Sequence, residues 1–125
     1  MLYFSEIQLK FIVTHSNDFD MKDGVLVCCQ QMIELLIKHL LQKKTGSYEQ
    51  IHSLIRLISD LDRTLVKTHR ELLTTLTDCY FDCRYASDTY YDFNKEEFEE
   101  IVNKSLKLRE ILLDMDKVKP SKSFT

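Results

Sequence analysis

The chain has 125 residues and a formal net charge of −3, from 17 basic and 20 acidic residues. That length suits one domain whose core needs no metal or disulfide staples, and the acidic balance argues against a protein that coats DNA, for which a strongly basic balance is the rule, while leaving room for a local nucleic-acid site. Two glycines (Gly24, Gly46) and one proline (Pro120) cannot supply the turns of a β-sandwich or an α/β fold, so the chain is expected to be all-α.

A first helix is expected from about Tyr3 to His15, with Phe4, Ile7 and Phe11 turned inward and Leu9 and Ile12 beside them. The segment SNDFDMKDG interrupts it with polar residues around one aromatic, Phe19. A second helix starts near Asp20 or Asp23 and runs to about Lys44. Val25, Cys29, Met32, Leu36 and Leu40 recur at three-four spacing and make one continuous stripe on it. Gln30, Gln31, Glu34 and Lys38 are set among them, and Glu34 and Lys38 stand in the favourable order for an exposed ion pair, worth about 0.2–0.5 kcal/mol. Lys38, His39, Lys43 and Lys44 precede Gly46, where cations suit the negative end of the helix dipole.

Ser47-x-x-Gln50 has the form of a capping box and is expected to open a third helix with an inner face of Ile51, Leu54, Ile55, Ile58 and Leu61. Asp60-Leu61-Asp62 breaks it, the alternative being one kinked rod through helices three and four. The fourth helix, from Asp62 or Thr64 to Cys83, buries Leu65, Leu72, Leu76, Cys79 and Tyr80. Arg84 to Phe93 lacks helical periodicity and is expected to be a loop. Asn94 then caps a last helix, with Glu97 at the reciprocal position and Phe98, Ile101, Val102, Leu108, Leu112 and Met115 as its stripe. Residues 1–117 thus make a single up-and-down antiparallel bundle of four to five helices, followed by a polar, frayed tail over 118–125.

No long uninterrupted apolar run is read in the sequence, so no membrane span is expected. The start, MLYFSEIQLK, lacks a basic leader ahead of an apolar block, which points to the cytoplasm. Cys28, Cys29, Cys79 and Cys83 lie inside apolar periodic segments and are expected to be reduced core residues. Their spacing does not match a zinc site, and no metal or cofactor is expected.

Three short patterns carry a family likeness: VCCQQMIELLIKHLL on the second helix, His52-Ser53-Leu54-Ile55 at the third, and Arg84-Tyr85 after Leu76 on the fourth. Their order and spacing resemble the HEPN domains (higher eukaryotes and prokaryotes nucleotide-binding) over roughly Phe4 to Met115. The resemblance implies a helical bundle, often a homodimer, often encoded with or fused to a small nucleotidyltransferase as in toxin–antitoxin pairs. Some members are metal-independent ribonucleases that use an arginine followed, after four to six intervening residues, by a histidine. The arginine holds the phosphoryl oxygens and the histidine shuttles a proton. Arg84 is the matching arginine, yet Tyr85 to Tyr91 holds no histidine, and tyrosine, with a pKa of about 10, is a poor proton shuttle.

A formal match, Arg63 with His69, occurs earlier and makes the catalytic candidate; the alternative is a solvated helix face shared with Lys67 and Arg70. Ligand-binding candidates are Arg84, Tyr85 and Tyr91, which can clamp phosphate and stack a base, with His52 and Lys38. The expectation is a non-catalytic binding module that dimerises and engages a partner such as a nucleotidyltransferase, or a nucleotide or RNA. The rivals are a ribonuclease toxin and a purely structural assembly subunit.

Overall fold

The computed structural model describes residues 1–85 and 93–117, with the backbone alone at 82–85. Five helices follow one another: α1 (Leu2–His15), α2 (Lys22–Thr45), α3 (Leu54–Leu61), α4 (Arg63–Tyr85) and α5 (Lys95–Lys117), with a single 3₁₀ turn at Phe19–Met21 ahead of α2. There is no strand among the described residues, and the chain is an all-α bundle. The tail expected over 118–125 and the candidate Tyr91 lie outside the described residues.

Local chemistry explains most boundaries. Gly46 takes a left-handed conformation (φ 83°), and its N–H bonds back to Gln42 O, closing α2. α3 does not open at Ser47. That serine serves the end of α2, accepting from Thr45 Oγ1 at its carbonyl (2.8 Å), while 47–53 runs without helix and Ile51 stays outside α3. Ser53 caps α3 instead, its hydroxyl accepting from Arg56 N. Asp62 is extended, and its carboxylate accepts from both Thr64 N (2.9 Å) and Thr64 Oγ1 (2.6 Å), so α3 and α4 are two separate rods. α4 runs through Arg84 and Tyr85, two residues further than the expected loop boundary at Arg84. α5 opens on the reciprocal pair read from the sequence: Glu97 N to Asn94 Oδ1 at 2.8 Å and Asn94 N to Glu97 Oε1 at 3.0 Å.

α2 is the central rod. Val25, Cys29, Met32, Leu36 and Leu40 are all buried, together with Ile33, Ile37 and Leu41. By length and composition Phe19–Thr45 is apolar enough to cross a membrane, contrary to the sequence reading, but 67% of its apolar window is buried in the bundle, as a central helix requires. α1 offers apolar residues on almost every side. The face it buries is set by Ile12 and the small Ser5, whose hydroxyl reaches Met32 O, and Phe4 and Ile7 are exposed rather than inward.

The chain reverses direction at each long helix. α2 and α5 therefore run parallel, with Phe19 against Phe98 at one end and Asp116 accepting from Lys43 (2.7 Å) and facing His39 Nε2 (3.1 Å) at the other. Lys43 and His39 hold the Asp116 carboxyl below its ordinary range, the Lys43 hydrogen bond most of all. α4 runs opposite to both. Its first residues follow Leu61, whose carbonyl accepts from Lys44 at the end of α2, and its Tyr80 approaches His52 beside Glu34.

Candidate functional site

The most concentrated polar chemistry lies where α2, the 47–53 segment and the far half of α4 meet. Gln30, Glu34 and Lys38 are spaced four apart on α2, so they line up along one stripe. That stripe faces inward: Gln30 is fully buried, and Glu34 and Lys38 are 7% and 6% exposed. The expected exposed Glu34–Lys38 pair is a buried one. An unpaired charge at this depth would be expelled or neutralised, and the carboxylate is accordingly saturated. Its Oε2 accepts from Lys38 Nζ at 3.0 Å, and its Oε1 accepts from Gln30 Nε2 at 2.8 Å and from His52 Nδ1 at 3.0 Å.

Each partner is itself held. Gln30 Nε2 also reaches His52 O (3.3 Å), tying the extended segment to α2, while Gln30 Oε1 is buried with no hydrogen-bond partner. Lys38 Nζ lies 5.4 Å from the Tyr48 ring centroid, a cation–π contact from the same segment. Because the carboxylate accepts, Nδ1 of His52 carries the proton and Nε2 of a neutral ring is an acceptor. The His52 ring packs 4.8 Å from Tyr80 and 6.4 Å from Phe81, and its side chain is 45% exposed. Phe81 is 40% exposed beside it. With a neutral ring, the corner therefore presents Nε2 as an acceptor next to an accessible aromatic ring, backed by a buried carboxylate.

Of the other sequence candidates whose side chains are described, Lys38 joins this corner, and Arg63 and His69 do not. Lys38 supports Glu34 from within and is too buried to greet a ligand directly. Arg84 and Tyr85 close α4 one turn beyond Tyr80 and Phe81, and their side chains lie outside the described residues. Arg63 is exposed at the opposite end of α4, and His69 is half-buried, with burial pushing its imidazole below the ordinary value. Six residues on a helix place them about 9 Å apart along the axis and roughly a third of a turn apart around it, so one copy does not bring them together. The sequence reading set Gln30 and Glu34 among the apolar residues of α2 but named neither as a site residue, and Glu34 as the hub emerges only from the packing. The available signal was a four-residue polar spacing inside an otherwise apolar helix. Among the described residues no three histidine, cysteine or acidic side chains gather as a metal site.

The architecture is that of a small all-helical bundle organised around one apolar central helix carrying a buried polar stripe. The HEPN domain family model matches residues 15–115, most of the chain, and the protein belongs to the HEPN family. Comparison with curated proteins and with solved structures finds no significant match.

Proposed function

We propose that this chain is a HEPN binding module that recognises a nucleotide-like ligand at the His52 corner without catalysing a reaction. The observation that carries this reading is the pairing of His52, its tautomer set by Glu34, with the exposed ring of Phe81. A planar heterocycle can stack on that ring, worth about 1–3 kcal/mol per base, while an exocyclic amino group donates to His52 Nε2. A small nucleotidyltransferase partner and a toxin–antitoxin setting belong to the same proposal, since such a partner handles ligands of this chemistry. Titration calorimetry with the common nucleoside monophosphates tests it. Saturable binding that weakens at least about tenfold in His52→Ala, and is unchanged in Arg63→Ala, supports the reading; no binding to the unmodified protein removes it.

One observation favours the rival, a metal-independent ribonuclease: a carboxylate-oriented imidazole is also the geometry of a general base. RNA left intact by the purified protein disposes of that reading. Cleavage abolished by His52→Ala would replace the binding reading with it, and cleavage abolished by His69→Ala would point to the Arg63–His69 pair, assembled from two copies.

A further inference from the structure

The two oxygens of the Glu34 carboxylate are differently engaged. Oε2 accepts from Lys38 Nζ alone, whereas Oε1 accepts from both Gln30 Nε2 and His52 Nδ1. A carboxylate only accepts, so Oε1 requires an N–H from each of these neighbours. Gln30 supplies one at a cost. Its Nε2 serves Glu34 Oε1 and His52 O together, and its own Oε1 is left buried with no hydrogen-bond partner. His52 supplies the other by carrying its proton on Nδ1. Turning the imidazole over would set a carbon against Glu34 Oε1, and Tyr80 opposes that rotation by packing on the ring with 33° between the planes. In the neutral ring Nε2 is then an acceptor, on a side chain that remains 45% exposed.

We infer that Glu34, buried beneath the corner, selects the bases that the corner takes, namely those carrying an exocyclic amino group, with adenine as the type. The inference rests on nucleotide recognition at His52 and gives that recognition its base preference. An amino group set beside Nε2 donates to it; a base without one presents a C–H or a second lone pair there. One hydrogen bond at a part-exposed site is worth about three- to tenfold in affinity. Glu34 acts here as a positioning residue, through His52 and without touching the ligand. The choice is reversible because Lys38 is buried alongside. In Glu34→Gln the ammonium keeps the amide oxygen, so the amide nitrogen turns to His52 and donates where the carboxylate accepted. The imidazole proton then moves to Nε2, which becomes a donor, and Gln30 can turn its orphaned Oε1 to the new N–H.

The test compares adenosine monophosphate with purine riboside monophosphate, which lacks only the exocyclic amino group. Both are titrated by calorimetry at a pH where nitrogen NMR of the imidazole shows His52 neutral. In the unmodified protein the spectrum should place the proton on Nδ1, and the adenine nucleotide should bind about three- to tenfold more tightly than its analogue. In Glu34→Gln, with helical circular dichroism unchanged, the proton should move to Nε2 and the ratio of affinities should fall to about one, since a ring nitrogen of either base then accepts. A purely structural role for Glu34 would weaken both nucleotides alike and leave the ratio unchanged, which overturns the inference. Should Glu34→Gln fail to fold, the unmodified protein still decides: a proton on Nε2, or equal affinities for the two nucleotides, overturns the inference. Equal affinities that are both lost in His52→Ala leave nucleotide recognition at His52 standing, whereas binding of neither nucleotide removes recognition and base preference together.

Discussion

Glu34 is the residue on which the buried polar stripe depends. Three donors converge on it, and one of them, Lys38, is almost wholly buried. Removing one member of a buried ion pair leaves the other as an uncompensated charge, at a cost of about 3–5 kcal/mol. Glu34→Ala should therefore lower stability by that order in urea unfolding, while Glu34→Ala with Lys38→Met should recover much of the loss, since the second change removes the stranded ammonium. A double variant as unstable as the single would show that packing, and not charge, sets the cost. The sequence displays the four-residue spacing of this pair but not its depth: helical periodicity says which residues share a stripe, and only tertiary packing decides that a polar stripe turns inward. Cys29 tells the opposite story. Its apolar surroundings were legible, and burial indeed pushes its thiol up to about 12, leaving it inert.

At the level of elements, caps were legible where they relied on adjacent residues and misleading where a neighbouring helix end competed for the same groups. Asn94 and Glu97 form their reciprocal bonds as read. Ser47 and Gln50 have the same spacing, yet Thr45 recruits Ser47 to finish α2. The extended stretch after it is held in place by Gln30 bonding to His52 O and by Thr77 receiving Leu54 N. No local pattern announces those two long-range bonds. The contrast has a measurable form. Asn94→Ala should cost about 1 kcal/mol, the usual loss for an N-cap, whereas the serine-to-alanine change at Ser47 should stay within about 0.5 kcal/mol. Equal losses in thermal unfolding would mean that Ser47 caps a helix after all.

On the scale of the whole molecule, helix number and the core of α2 followed from composition and spacing, because an all-α chain with so few turn formers has few alternatives. Which residues converge did not follow. His52 and Glu34 are 18 positions apart, so their meeting depends on lateral placement rather than on any stretch of sequence. α1 shows the same limit most sharply. Leu2, Tyr3, Phe4, Ile7, Leu9, Phe11, Ile12 and Val13 surround it with apolar side chains, so its pattern does not single out a face. Its seat against α2 is chosen by fit: Ser5 is small enough for close approach, and Ile12 is wholly enclosed, while Phe4 is 58% exposed and meets Tyr3 edge to face. Ile12→Ala should therefore destabilise the bundle by about 2–5 kcal/mol, as large-to-small changes in a closed core do. Phe4→Ala should cost no more than about 1 kcal/mol despite deleting a larger ring. The reverse order in urea titrations would rotate α1 about its axis and bring back the inward Phe4 that the sequence alone suggests.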